Sequence, residues 1–437
     1  MQDLTLQNNT AWPLWRKCIF RFFFIYFILF ISPWFYLNII PGVHFILDYL
    51  DNLMEWAVIN MNANIFHVFH IVNVKPVQNG SGDTSFNWAE ICLFLFVAFL
   101  GCILWSVLDR SRRTYSSLNY LLCLTLRYFL ALNALGYGFS KILLLQMPSP
   151  LLSQMATPLG DFLPMRFSWL FIGYSAPYEI FSGIMEVLVG ILLLYRKTAT
   201  MGIMIATAVF INVMMLNLCY DIPVKLFSMN MVLMCLFLLA NECRRMTNFF
   251  VHNKTSEACR IYHYPLQKRW MRITRIILKV MVLYIIAKGF YGQFSNYKMM
   301  YKTNDVQGIQ TGIYDVVKYI VNKDSITSLQ DTSRWKDIIF EHGEIGSVDT
   351  KDTSFRNRYG RGYFFYTADT NKHTITFKKF LQDSMSIITM NYSQPDSSTM
   401  HLEGKRRNDS IYVEVKRSTR HFQLAEHQFH WLSEANR

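Results

Sequence analysis

The sequence predicts an all-α polytopic membrane bundle of about seven transmembrane helices, followed by a soluble, mainly-β domain at the C-terminus. Three observations lead to this fold class. Of the 437 residues, 52% are hydrophobic and only 17% are charged, which is too apolar for an ordinary soluble protein. Up to about residue 292 the apolar residues form runs close to the 20 that a helix needs to cross a bilayer. Beyond that point they form short alternating runs, which are typical of β-strands.

Seven apolar runs are long enough to be predicted spans. They are Phe22–Ile40, Trp88–Leu108, Leu121–Leu145, Tyr178–Tyr195, Thr198–Leu218, Val224–Ala240 and Ile273–Tyr291. No small-residue cleavage site follows the first run, so we expect a retained helix rather than a signal peptide, with a possible kink at Pro33. In the connection at 41–87 the apolar residues recur every three or four positions, which predicts an amphipathic helix lying in the membrane interface.

The distribution of positive charge predicts the orientation of the chain. Residues 1–292 contain 23 Lys and Arg against 13 Asp and Glu, whereas residues 293–437 contain 20 against 17. Connections rich in Lys and Arg alternate with poor ones along the whole membrane half. By the positive-inside rule this places the N-terminus in the cytoplasm and residues 293–437 outside the inner membrane. A basic excess confined to membrane loops also argues against a nucleic-acid partner.

We divide the chain into four parts. They are an N-terminal two-helix membrane region at 1–120, a four-helix bundle at 121–245, a basic cytoplasmic loop with the last span at 246–292, and the β domain at 293–437. Alternating runs such as GYFFYT and SIYVEVK, separated by turn signals, predict an antiparallel sandwich or barrel in the last part. Because no Gly/Ser linker precedes this domain, we expect it to contact the outer loops at 79–84 and 166–171.

The central bundle carries charged and amide side chains that predict a polar interior. The candidate pocket residues are Arg127, Lys141, Glu179, Glu186, Asn212, Asn217, Asp221 and Lys225. An ionised group that faces lipid costs at least about 2.5 kcal/mol at the bilayer centre, so these groups should point inward. Lys141 is expected to pair with Glu186 or Glu179. Such a pair is either a structural contact that holds the helices in register or part of a substrate site.

A metal site, a haem site and a dithiol redox site all find little support in the sequence. His67 and His70 are three residues apart, but no third ligand is evident, which favours ordinary interfacial histidines over a metal site. None of the 11 histidines lies in a predicted span, which argues against a His-ligated haem. The eight cysteines include no CxxC motif, which argues against a dithiol oxidoreductase. Any redox role would therefore need a diffusible quinone or a partner subunit.

The order of small and charged residues in the bundle resembles a known family. The third predicted helix reads R-x6-A-x3-G-x2-K, and the fourth reads E-x3-G-x-L-L-L before the basic pair Arg196 and Lys197. This order resembles the DoxX-like family of small four-helix membrane proteins over about 120 residues. The resemblance implies a quinone or lipid pocket, because the name-giving members are associated with quinone-linked sulfur oxidation. A vitamin-K-dependent carboxylase-like bundle is a weaker match, through helix count and buried charge.

Three classes of function stay open. The first is a scaffold or accessory subunit whose polar bundle is structural or holds a lipid and whose β domain meets an envelope protein. The second is a quinone-linked oxidoreductase subunit or a lipid-modifying enzyme with its site near Lys141 and Glu186. The third is a transporter, to which only Pro223 beside the sixth predicted helix points. The sequence favours the first class and leans away from an enzyme.

Overall fold

The computed structural model describes residues 11–34, 42–68, 82–255, 268–301, 308–356, 359–380, 386–406 and 409–426, with isolated positions at 306, 383, 430–432 and 434. The chain forms two compact units. The first contains Met1–Gln146 and Pro177–Gln293, and the second contains Met147–Ala176 and Phe294–Arg437. The connection at 147–176, which the sequence-based division grouped with the bundle, therefore belongs to the same unit as the C-terminal domain.

Five of the seven predicted spans agree closely with helices of the structure. In chain order they are α1 Leu14–Ile31, α2 His44–Met61, α3 Ser85–Leu108, α4 Ser116–Ile142, α5 Leu152–Met155, α6 Pro164–Tyr174, α7 Ala176–Leu194, α8 Ala199–Cys219, α9 Lys225–Met246, α10 Arg269–Tyr301 and α11 Gln423–Glu426. Among the described residues, five helices are long and apolar enough to cross a membrane, namely α3, α4, α7, α8 and α9 with its extension to Val251. These five helices indicate a multi-pass membrane protein.

The first and last predicted spans are helices too, but they carry more charge. Helix α1 begins at Leu14, eight residues earlier than predicted, so Arg21 lies inside it rather than ahead of it. It ends at Ile31 because Pro33 disfavours a helical Ser32, which adopts a left-handed conformation. Pro33 thus ends the described helix instead of kinking it, and residues 35–41 lie outside the described part. The last predicted span lies within the 33-residue α10.

The apolar faces of α1, α3, α4, α7, α8 and α9 form one buried core in the first unit. Helix α2 packs on the start of α3, where Val58 contacts Ala89 and Leu93. The predicted helix in the 41–87 connection is thus present, and its placement in the membrane interface stays a prediction. His67 is exposed just beyond it, and His70 lies outside the described residues.

The C-terminal domain is an eight-stranded antiparallel barrel, so the open choice between sandwich and barrel is resolved. Its strands are β1 Gly312–Val321, β2 Asp324–Ser325, β3 Trp335–Phe340, β4 Ile345–Thr350, β5 Arg361–Asp369, β6 Thr374–Lys378, β7 Ser386–Ser393, β8 Thr399–Arg406 and β9 Asp409–Arg417. Strand β1 pairs with β9, for example at Val316 and Val415, and this pairing closes the barrel. The short β2 is a hairpin extension of β1. Closure leaves the eight strands without open edges.

The connection between α4 and α7 packs on this barrel within the second unit. The carboxylate of Glu341 accepts the backbone N–H groups of Leu152 and Ser153 at 3.1 and 2.7 Å. The rings of Phe162 and Tyr359 lie 5.0 Å apart. We expected this contact farther along the connection, at residues 166–171. The other predicted contact loop, at 79–84, is described only from Gly82, which belongs to the first unit.

Candidate functional site

The candidate site lies where α4 crosses α7. A Cβ atom at Gly138 would lie 2.8 Å from the carbonyl oxygen of Gly183, and a Cβ atom at Gly183 would lie 2.8 Å from that of Gly138. About two turns farther along α7, a Cβ atom at Gly190 would lie 2.5 Å from Leu135 Cγ. No real side chain fits at such distances, so glycine lets the two backbones touch. The glycines of the two motifs that resemble the DoxX-like family, Gly138 and Gly190, therefore lie where α4 and α7 are in close contact.

A buried ion pair lies next to this crossing. Lys141 Nζ donates a hydrogen bond to Glu186 Oε1, and each residue lies three positions after a crossing glycine. Both residues are buried, with 6% and 3% of their surface exposed. The second oxygen, Glu186 Oε2, is also buried and accepts no hydrogen bond from any described residue. The structure thus joins Lys141 to Glu186, one of the two partners that the sequence allowed.

Two further charged candidates lie on the same two helices but farther along them. Glu179 is fully buried in α7, seven residues before Glu186 and thus about 10 Å away along the axis. Arg127 is buried in α4, fourteen residues before Lys141, which corresponds to about 21 Å. Its guanidinium lies 5.3 Å from the ring centroid of Tyr128. Arg127 and Lys141 therefore do not line one small pocket.

The α8–α9 turn holds a separate group of charges. Lys225 Nζ lies 2.7 Å from Asp221 Oδ1, and the Asp221 side chain is 80% exposed, so this is a helix-end pair and the prediction that Asp221 points inward is wrong. Sequence reasoning missed the role of Asp83, whose carboxylate accepts the backbone N–H groups of Lys225 and Leu226 at 2.6 and 2.9 Å. Asp83 thus caps α9 from a distant part of the chain. The position of Asp83 in the NGSGDT turn was a signal that the sequence offered. The sequence did not show which helix Asp83 caps.

The two asparagines of α8 have different environments. Asn217 is buried, and its Nδ2 lies 3.5 Å from the carbonyl oxygen of Val224. Asn212, which we predicted to face the interior, is exposed instead. Five residues turn a helix by about 140° beyond one full revolution, so the two side chains lie on nearly opposite faces. The prediction for Asn212 is therefore wrong.

The structure adds two buried polar contacts that the sequence did not indicate. Arg21 is 2% exposed and donates to the Tyr115 hydroxyl at 2.7 Å and to Ser106 Oγ at 2.7 Å. The Tyr26 hydroxyl donates to Asn230 Oδ1 at 2.7 Å. Both contacts join α1 to distant parts of the chain, so no local pattern could reveal them. Arg21 directly precedes the first predicted span, Phe22–Ile40, so its position in the sequence does not indicate a buried contact.

The pair offers a carboxylate acceptor and a lysine donor for hydrogen bonding. In the part of the chain that the structure describes, no three His, Cys, Asp or Glu side chains are close enough together to hold a metal ion. What the site presents is one carboxylate oxygen with unused acceptor capacity beside a lysine. A hydroxyl or a protonated group of a ligand could donate to that oxygen.

Comparison with known proteins gives one informative similarity. No protein-family model matches the chain. No solved structure matches it either. Over 126 residues the chain is 34% identical to the uncharacterized protein YwoB of Bacillus subtilis (strain 168). The aligned segment is 29% of this chain and 80% of YwoB, and it leaves most of the present chain outside the match. Through this segment, the chain belongs to the same family as YwoB.

Proposed function

We propose that the protein is an inner-membrane scaffold or accessory subunit whose helical bundle holds the β-barrel on the outer side for an envelope protein partner. The observation that carries this proposal is the buried Lys141–Glu186 pair. The two charges bind each other between helices that touch at their glycines. A pair in this position fixes the register of α4 against α7, as expected of a structural element.

The path of the chain supports the orientation. The connection at 147–176 packs on the barrel, so both lie on one side of the membrane. From there α7, α8 and α9 cross three times and leave the chain on the opposite side. Helix α10 must then cross back to reach the barrel. Its 33 residues correspond to about 50 Å, enough for a bilayer core of about 30 Å.

The Lys and Arg residues support the direction of these crossings. The connection between α7 and α8 carries Arg196 and Lys197, and the end of α9 carries Arg244 and Arg245. Both lie on the side opposite the barrel in this topology. The positive-inside rule makes that side the cytoplasm. The barrel is then extracytoplasmic, where an envelope partner could reach it.

A second candidate function follows from Glu186 Oε2. A buried oxygen without a hydrogen-bond donor is uncommon, and at such places a ligand or an ordered water often supplies one. The resemblance to the DoxX-like family suggests a quinone or a lipid headgroup. In that case the protein would be a quinone-linked oxidoreductase subunit or a lipid-modifying enzyme. A transporter is the third candidate and rests only on Pro223 beside α9.

Purification in a mild detergent distinguishes the first two candidates. The full chain is isolated from its membrane, and the retained lipids, quinones and proteins are identified by mass spectrometry. A protein partner present in a fixed ratio supports the accessory subunit. A quinone in a fixed ratio, lost in a Glu186→Gln variant that still folds, supports the enzyme subunit and contradicts a purely structural pair.

A further inference from the structure

The second unit contains a polar cavity of about 280 Å³ that the candidate site does not involve. It lies between residues 156–161 of the α4–α7 connection and the barrel strands β3, β4 and β5. Its ionisable lining residues are mostly basic. They are Arg334, Lys336, Lys351, Arg356 and Arg361, against the acidic Asp161 and Asp349.

Part of this charge is already neutralised. Arg361 forms a buried ion pair with Asp337, and Lys336 lies 3.6 Å from Asp349. The cations that remain are Arg334, Lys351 and Arg356. Among the described residues, none of these three has a carboxylate partner within ion-pair distance. The cavity thus keeps an excess of positive charge that is suited to an anion.

Two arginines line the cavity in positions where they could meet such an anion. Arg334 donates through Nη1 to the carbonyl oxygen of Ile326, which fixes the side chain. Its Nε is buried and donates to no described residue. Arg356 lies over Gly360, where a Cβ atom would be 2.7 Å from Arg356 Nη2. Gly360 also has a φ of +68°, so glycine is favoured there both by conformation and by space.

We propose that this cavity binds a ligand that carries a phosphate, with the phosphate bound by Arg334 and Arg356. Guanidinium groups match phosphate oxygens with paired, charge-assisted hydrogen bonds. The volume is slightly below the range of about 300–1,000 Å³ typical of pockets for drug-sized ligands, so the ligand is small. Asp161 can accept a hydrogen bond from a ligand hydroxyl. A phosphate attached to a small polyol, such as a glycerol phosphate group, combines these features.

Such a group has two sources, the headgroup of phosphatidylglycerol and a soluble phosphate ester. The connection beside the cavity exposes Leu159 and Leu163, at 70% and 71% of their surface. These apolar side chains, two residues before and two residues after the lining residue Asp161, would contact the acyl chains of a lipid but would gain nothing from a soluble ester. The proposal does not depend on the accessory-subunit function, because it concerns the barrel unit alone.

The test uses the full chain in a phosphate-free buffer with a glycoside detergent. One arm titrates glycerol phosphate by calorimetry, and the other titrates mixed micelles of phosphatidylglycerol, with diacylglycerol micelles as the phosphate-free comparison. Arg334→Gln and Arg356→Gln should each weaken binding about tenfold or more, the effect of losing one charge-assisted hydrogen bond. Lys372→Gln removes one positive charge from an exposed turn of the same barrel and should leave binding unchanged.

The outcomes distinguish a lipid headgroup from a soluble phosphate ester and test the proposal. Binding in both arms indicates recognition of the phosphate group itself, and binding only in the lipid arm indicates a lipid headgroup. Arg356 is exposed and makes no side-chain bond to a described residue, so its variant should fold even if Arg334→Gln does not. Absence of binding in both arms, or equal binding by Arg356→Gln and Lys372→Gln, would overturn the proposal.

Discussion

Glu341, in the turn after β3, binds the backbone N–H group of Ser153 at 2.7 Å, although the two residues are 188 positions apart in the chain. Both residues are buried, at 3% and 0% exposure. The carboxylate thus caps the start of α5 from another part of the chain, in the way that an Asp or Ser caps its own helix. Because α5 belongs to the connection between two membrane helices, this contact ties that connection to the barrel.

Loss of this cap should release the connection. In Glu341→Ala, the buried N–H groups of Leu152 and Ser153 lose their acceptor, at a cost of about 1–3 kcal/mol. Hydrogen exchange at residues 152–157, followed by mass spectrometry, should become faster. Glu403→Ala, at an exposed position on β8, serves as the control and should leave exchange at these residues unchanged. Equal exchange in both variants would show that the cap does not hold the connection.

The Lys141–Glu186 pair should behave as one unit in a double-mutant cycle. Removal of one member of a buried pair leaves an uncompensated charge, which typically costs about 3–5 kcal/mol. Lys141→Met and Glu186→Gln should therefore each lower the free energy of unfolding strongly, and the double variant should recover part of the loss. Asp221→Asn removes the exposed member of the Asp221–Lys225 pair, leaves Lys225 beside Asp83, and should cost only about 0–1 kcal/mol. Strict additivity would mean that the two charges do not interact, and the cycle would then be repeated with Glu179.

The close crossing predicts opposite effects for two glycines on α4. A Cβ atom at Gly136 would have no other atom within 4 Å, so Gly136→Ala should be neutral or stabilise the helix by up to about 1 kcal/mol. At Gly138 the added carbon would meet the Gly183 carbonyl oxygen at 2.8 Å, so Gly138→Ala should lower the thermal unfolding midpoint. Similar midpoints for the two variants would contradict the backbone contact between α4 and α7.

The barrel should lose stability at alkaline pH through Tyr363. Burial raises the pKa of Tyr363 from about 10 to about 12, although the neighbouring hydroxyl of Ser153 lowers it. The folded state therefore retains this proton more tightly than the unfolded state, and the stabilisation is complete below pH 10 and decreases as the pH rises towards about 12. In this interval the free energy of unfolding should fall more steeply for the natural protein than for Tyr363→Phe. Parallel curves would contradict a buried phenol.

The spans and the β domain could be predicted because their signals are local. A long run of apolar residues indicates a helix that crosses a membrane, and alternating apolar and polar residues indicate a strand with one buried face. The spacing of Gly138 and Lys141 on α4 also placed them on one face before any partner was known. The sequence could not decide whether Glu179 or Glu186 is the partner of Lys141, because this depends on the angle at which α4 and α7 cross. That angle depends on Gly183 and Gly190, which only the packed bundle brings against α4.

The contacts that the sequence could not reveal join residues far apart in the chain. Asp83 caps a helix that begins 142 residues later, and Arg21 meets Tyr115 across 94 residues. Neither pairing leaves a local spacing pattern. The prediction for Asn212 was wrong for a related reason. Helix α8 is apolar on all sides, so its sequence does not reveal which face is buried. The sequence likewise could not show that residues 147–176 belong to the barrel unit, because they join that unit through tertiary contacts.

The proposal that matters most is that the barrel and the 147–176 connection lie outside the membrane and that the α7–α8 connection lies in the cytoplasm. In a background with all eight cysteines replaced, single cysteines are placed at Asp161, Lys197 and Ser328, which are exposed. Intact cells are then treated with a thiol reagent that cannot cross the membrane, and permeabilised cells serve as the control. We predict that positions 161 and 328 react in intact cells and that position 197 reacts only after permeabilisation. Reaction of positions 161 and 328 from opposite sides, or of all three from one side, would contradict the account.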